Sequence, residues 1–227
     1  PLSDAALAEK FGVEPPRSIV LFGPPGTGKT TFAKAVASRL HWPFVEVFPA
    51  RLAGDPRGLA GALRETFTKI GDLDNVVVFI DEVEEIASQR GGEPPAPTQG
   101  VTNELLKLIP LFRERPGRLL IVATNFIRAL DDAFLRHGRF DYVIPIGLPD
   151  DQARDSIWRR YIPHSSGDTV DLAEMVKRTD GFSPADIEYA ARKASQRALE
   201  AAVYDQSGGG QEGPSTEDYL WAIGDTR

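Results

Sequence analysis

Two stretches of this 227-residue sequence, and one amide beyond them, have residue types and spacings that could handle a polyphosphate. The first stretch is Gly23-Pro24-Pro25-Gly26-Thr27-Gly28-Lys29-Thr30, which fits G-x-x-x-x-G-K-[ST]. Its glycines let backbone N–H groups turn inward onto an anion, and a helix opening behind it, with Thr31 in its first turn, adds the positive end of a dipole. Lys29 would reach the β- and γ-phosphates of a nucleotide, and the Thr30 hydroxyl would ligate Mg²⁺. A plain Gly-Pro turn is the competing account. The flanks argue against it, because Ile19–Phe22 reads as a short buried strand and Thr31–Ala37 as a helix.

The second stretch is the apolar run Val76–Ile80 ending in Asp81-Glu82. Asp81 would hold Mg²⁺, usually through water, since magnesium keeps much of its hydration shell. Glu82 would polarise an attacking water as general base. The same acids could instead cap the following helix, since Glu84 and Glu85 continue the charge. The amide is Asn125, after the apolar run Leu119–Ala123. It can donate and accept at once, and so orient water against a γ-phosphate, although asparagine also serves in turns.

These residues need a frame. Five apolar runs read as strands: 19–22, 44–48, 76–80, 119–123 and 142–146, the last carrying Pro145 and so suited to an edge. Helical spacing lies between them, including Leu59–Ile70 and Val101–Phe112, while Gly91–Gly100 reads as a Gly/Pro-rich loop. Strands and helices alternating on this rhythm predict an α/β fold, a parallel five-stranded sheet covered by helices on both faces. Ligands then gather at the carboxyl ends of the strands, where the glycine loop, Asp81-Glu82 and Asn125 all fall. After Asp150 the pattern is helical only: 151–161, 172–178, a helix opened by Ser183-Pro184-Ala185-Asp186 and running towards Val203, and a last one over 215–223. The expected division is a nucleotide-binding domain over 1–149 and a small all-α lid over 150–227, with Trp158 and Trp221 in the lid core.

Composition sets outer limits. Hydrophobic residues are 41% and charged residues 26%, as in a globular protein, and no apolar run is long enough to span a bilayer. The start, Pro1-Leu2-Ser3-Asp4, lacks a methionine, as expected of a domain cut from a longer parent. With no cysteine there are no disulfides or thiolate metal sites, and the cytoplasm is the default compartment, a membrane tether in a longer parent staying open. A net charge of −7 argues against general binding to nucleic-acid backbones.

Longer segments carry a resemblance. Gly12–Arg17 running into Gly23–Thr30, then Val76–Glu82, resembles the AAA family of ATPases. Ile121–Asn125 followed by Leu130-Asp131-Asp132-Ala133-Phe134-Leu135-Arg136-His137-Gly138-Arg139-Phe140-Asp141 is similar to that family's second region of homology. Gly181–Ile187 and Ser215–Tyr219 resemble its lid. The resemblance implies hydrolysis of ATP to ADP with Mg²⁺, a sensor role for Asn125, and arginine fingers at Arg136 and Arg139 that reach a neighbour's site. Without it, both arginines would read as partners of Asp131, Asp132 or Asp141. It also implies a head-to-tail ring, hexameric in form, acting on a protein partner. Tyr161 falls where the family often has a histidine beside the adenine. Ala185 falls at the sensor-2 position, and Pro184 replaces a common glycine whose backbone lies by the adenine.

Two departures bear on function. Relatives that thread polypeptide carry an aromatic–aliphatic–Gly triplet where this sequence has Ala53-Gly54-Asp55-Pro56-Arg57-Gly58, and the proline-rich 91–100 is unlike the usual second pore loop. They favour an alternative, a nucleotide-gated assembly scaffold with slow hydrolysis and no threading. A loader acting on nucleic acid is disfavoured by charge, and small-molecule kinases would not need Arg136 or Arg139. The three histidines (His41, His137, His164) are scattered and form no H-E-x-x-H zinc motif.

Overall fold

The structure, a computed structural model, describes residues 5–52, 54–87, 97–130, 134–135, 138–164, 170–204 and 213–226. The chain divides into two compact units, Pro1–Pro24 with Lys29–Ile146, and Pro25–Gly28 with Gly147–Arg227.

In the first unit β1 (Ser18–Phe22), β2 (Phe44–Val47), β3 (Val76–Ile80), β4 (Arg118–Thr124) and β5 (Tyr142–Pro145) form one sheet in the order β2-β3-β4-β1-β5. Every neighbouring pair is parallel. The helices here are α1 (Ala5–Lys10), α2 (Lys29–Leu40), α3 (Pro49–Leu52), α4 (Gly58–Ile70), α5 (Glu84–Ala87) and α6 (Pro97–Arg113). β3 and β4 are buried at every residue, which is why they read as unbroken apolar runs. The pleat sends alternate side chains to opposite faces. Val76, Val78 and Ile80 join Leu120 and Val122 against Leu63, Phe67, Leu105 and Ile109 of α4 and α6. Val77 and Phe79 join Leu119 and Ile121 on the other face, against Ala33 and Ala37 of α2. The expected sheet with helices on both faces therefore forms, and β5, with Pro145 and mostly exposed residues, lies at its edge.

Two details differ from the sequence reading. The short helix α3 was not anticipated. Helix α6 begins at Pro97 and not at Val101. Proline tolerates the first turn of a helix because its missing N–H has no intrahelical partner there, so the Gly/Pro-rich composition of 91–100 concealed a helix start. Residues 91–96 of that stretch lie outside the described residues.

The second unit contains α7 (Asp151–Tyr161), α8 (Leu172–Arg178), α9 (Pro184–Tyr204) and α10 (Thr216–Thr226). Each starts on a side-chain cap. Asp150 accepts from the Ala153 N–H at 2.8 Å and Asp171 from the Glu174 N–H at 3.0 Å. Ser183 with Asp186 and Ser215 with Asp218 form reciprocal capping boxes, serine oxygen to the third amide and carboxylate back to the serine N–H. The inward stripe of α9 is Ile187, Ala190, Ala191, Ala194 and Ala198, small enough for close helix approach. Trp158 is fully buried and meets Tyr219 edge to face at 5.7 Å. The expectation for Trp221 was wrong: it is 44% exposed, with the Arg197 guanidinium 4.6 Å from its ring centroid. The buried face of α10 is set by Tyr219, Ala222 and Ile223, and a residue two positions from Tyr219 points away from that face.

Candidate functional site

Parallel register gathers the phosphate-handling residues of the first unit. Phe22 pairs with Thr124 and Ile80 with Val122, so the residues that follow β1, β3 and β4 emerge at the same end of the sheet. Gly23 begins the loop there, its N–H bonded to the Thr124 carbonyl at 3.3 Å. A Cβ on Gly23 would lie 2.0 Å from the Ile146 carbonyl oxygen, so only glycine fits. Helix α2 opens at Lys29, whose side chain is buried, and its Nζ donates to Gly23 O at 2.9 Å, Pro24 O at 3.0 Å and Asn125 Oδ1 at 2.8 Å. The ammonium is thus held on three oxygens. Burial pushes its pKa below the ordinary lysine value, against the pull of the nearby carboxylates Asp81, Glu84 and Glu82.

Thr30 comes next, and its hydroxyl donates to Asp81 Oδ2 at 3.1 Å. The other Asp81 oxygen accepts the Glu82 N–H at 2.9 Å. Thr30 and Asp81 therefore offer adjacent hard oxygen donors, a set that suits Mg²⁺ retaining most of its waters. Glu82 is exposed and sits in the left-handed region at φ 49°, a rare conformation for a side chain with a Cβ. Thr31 is exposed on α2. One residue in this cluster was not singled out in the sequence. Glu84, read there as part of a run of acids, accepts the Asn125 N–H on Oε1 at 3.0 Å.

The loop residues Pro25–Gly28 belong to the second unit. Gly26 has φ 76°, and a Cβ on it would meet Ser183 Oγ at 2.9 Å and Ala185 Cβ at 3.0 Å. Its carbonyl accepts the Ala185 N–H at 3.3 Å. Thr27 is buried, and Pro184 is the first residue of α9. Tyr161, half-buried at the end of α7, has its hydroxyl pKa raised by burial and by the Glu188 carboxylate.

The arginines are placed otherwise. Arg136 lies outside the described residues. The Arg139 carbonyl accepts from Ser18 Oγ at 2.8 Å and Arg113 Nη1 at 3.0 Å. Ser18 is the first residue of β1, whereas the glycine loop follows the last, so the Arg139 backbone lies at the opposite end of that strand. Five strand residues span roughly 17 Å. Arg139 is not among the residues brought to Lys29. Asp141 organises this end: its Oδ2 accepts the Arg17 N–H at 2.8 Å and the Ser18 N–H at 2.9 Å, and its Oδ1 pairs with Arg113.

The family model described as ATPase family associated with various cellular activities (AAA) matches residues 19–148. The chain belongs to this family. A second family model, the AAA+ lid domain, matches residues 169–204. As a member of the AAA family the chain is an ATPase module. It is similar to a Cell division cycle protein 48 homolog of Archaeoglobus fulgidus, 36% identical over 203 residues, 88% of this chain and 27% of that protein. It also resembles a Proteasome-activating nucleotidase of Methanococcus vannielii, 34% identical over 227 residues, covering 98% of this chain and 54% of the relative. A third similar protein is an ATP-dependent zinc metalloprotease FtsH of Mycoplasmoides gallisepticum, 36% identical over 197 residues, 85% of this chain and 26% of that one. The chain thus spans between about a quarter and about half the length of these AAA relatives. Among the described residues no helix is long and apolar enough to cross a membrane.

Proposed function

We propose that this AAA module hydrolyses ATP with Mg²⁺ at the interfaces of a head-to-tail ring, and that the cycle remodels a protein partner. The observation that carries the reading is the meeting of Lys29 with Asn125, and of Thr30 with Asp81, at one end of the sheet. Lys29 and the loop amides bind the phosphates, and Thr30 and Asp81 hold the metal. When bound, Mg²⁺ neutralises phosphate charge and polarises the bond to be broken. Glu82 takes the proton of the attacking water, and Asn125 orients that water. The adenine side is assigned to Tyr161, Pro184 and Ala185 by resemblance.

Arg139 supports the ring. Its backbone is held a strand's length from the Lys29 end of its own sheet, so it serves a neighbour's phosphate and not its own. Arg136 is assigned the same role. Six subunits is the number we propose, and the cytoplasm the compartment. That the partner is a protein draws support from the relatives' names, one a proteasome activator and one a metalloprotease. The scaffold alternative draws on residues 54–58, where threading relatives have an aromatic: here Asp55 accepts from the Arg57 N–H and guanidinium, closing a turn.

Phosphate release from MgATP, measured against protein concentration, tests the reading. Turnover per chain should rise with assembly. Arg139→Ala should lower it by roughly 10³-fold or more, the scale of arginine supplied in trans, with ATP affinity little changed. Wild-type turnover in assembled Arg139→Ala sinks the trans assignment. Failure to unfold a tagged test protein, with hydrolysis intact, selects the scaffold.

A further inference from the structure

Helix α5 begins at Glu84, yet the carboxylate of Glu84 does not cap its own helix. Its Oε1 accepts the backbone N–H of Asn125, 41 residues on, at 3.0 Å. The reason lies in how the sheet ends. β3 and β4 pair as far as Ile80 and Val122, and just beyond, the Val83 N–H still bonds the Ala123 carbonyl at 3.0 Å. Asn125 has left β4, so its N–H has no strand to donate to. The Glu84 side chain supplies the missing acceptor and continues the ladder by one bond. Asn125 then spends its side-chain oxygen on Lys29 Nζ. Carboxylate, backbone amide, side-chain amide and ammonium form one line. The second carboxylate oxygen, Oε2, is buried with no hydrogen-bond partner among the described residues, an arrangement that a purely structural acid would avoid.

We propose that Glu84 is a positioning residue for ATP hydrolysis: it pins the backbone of Asn125 so that the amide faces Lys29 and the phosphate end of the site. This rests on the role assigned to Asn125 above. Phosphate oxygens compete with Asn125 Oδ1 for the Lys29 ammonium, since all three of its N–H donors are already in use. When that exchange occurs the Asn125 side chain is released, and Glu84 keeps its backbone still while the amide turns to the attacking water. Glu84 acts through the Asn125 backbone, so it governs the rate of the chemical step and leaves nucleotide affinity to the loop.

The test is steady-state ATP turnover of the assembled protein for Glu84→Ala, Asn125→Ala and the double variant. Glu84→Ala should lower kcat on the order of tenfold to a hundredfold, as misplaced catalytic groups do, while KM for ATP moves by less than about threefold. The double variant should be no slower than Asn125→Ala alone, because both act through one group. Glu84→Gln keeps an acceptor oxygen at the same reach and should recover most of the loss. Glu84→Met, which fills the same volume without an acceptor, should fall with alanine and serves if Glu84→Ala does not fold. Wild-type kcat in Glu84→Ala or Glu84→Met, or losses that multiply in the double variant, overturn the proposal. If Asn125→Ala alone turns over at the wild-type rate, the role of Asn125 fails, and this proposal with it.

Discussion

Lys29 Nζ donates a 2.8 Å hydrogen bond to Asn125 Oδ1, joining residues 96 positions apart in the chain. The bond makes the two residues separable by experiment. In the proposed role Lys29 carries charge to the phosphates, so Lys29→Ala should weaken ATP binding by about a hundredfold, the loss of one or two charge-assisted hydrogen bonds. Asn125→Ala frees one ammonium donor and should leave the ATP Kd within about tenfold, while kcat falls about a hundredfold. Calorimetric Kd values beside steady-state kcat decide it. Equal effects of the two variants on Kd would mean that Asn125 is a binding residue and nothing more.

Thr30 Oγ1 and Asp81 Oδ2 lie 3.1 Å apart. Asp81→Asn retains the shape of the side chain but removes its charge and one oxygen. The Mg²⁺ concentration giving half-maximal turnover should rise about tenfold or more, since magnesium binds through few carboxylates and much water. A magnesium titration of ATPase activity reads this directly. An unchanged midpoint removes Asp81 from the metal site.

Asp141 accepts from the Arg17 and Ser18 amides and pairs with Arg113, which in turn holds the carbonyls of Gly138 and Arg139. Asp141→Ala strands several donors in a partly buried network. It should destabilise the chain by about 1 to 2 kcal/mol in urea unfolding, the scale of charge-assisted hydrogen bonds lost at a partly exposed carboxylate. Turnover should fall further at temperatures where the variant is still folded, because the segment bearing Arg139 loses its anchor. Full turnover in a folded variant would show that the network does not set the arginine.

Tyr219 of α10 is fully buried, and its hydroxyl pKa is pushed up to about 12, chiefly by burial, with the Asp218 carboxylate adding to it. The folded state therefore favours the neutral phenol. Its contribution is present in full below the ordinary value of 10.0 and is lost as pH rises from there to about 12. Over that window the wild type should lose on the order of 2 kcal/mol more stability than Tyr219→Phe. Denaturant melts at pH 8 and pH 11 should already separate the two proteins by about 1.4 kcal/mol, one tenfold step of the linkage, and parallel losses in both would show that the hydroxyl ionises freely.

The sequence alone determined the local features that depend on near neighbours. The spacing of Gly23, Gly28, Lys29 and Thr30, the unbroken apolar runs Val76–Ile80 and Leu119–Ala123, and the Ser183–Asp186 and Ser215–Asp218 spacings each reflect interactions within a few residues. Such interactions leave a mark in residue order. Pro97 was misread for the same reason, because proline's local signal fits a loop and a first helical turn alike. Tertiary structure alone decided which distant groups meet. Glu84 looks like one more acid in a charged run until β3 and β4 pair and bring the Asn125 amide to its carboxylate. Trp221 looks like core until packing of α10 commits its opposite face to Tyr219, Ala222 and Ile223. The Arg139 backbone acquires its place only when Ser18 and Asp141 hold its segment at the far end of β1. Each of these depends on strand register or helix rotation, set by the summed burial of the whole sheet or bundle and by no short stretch of chain.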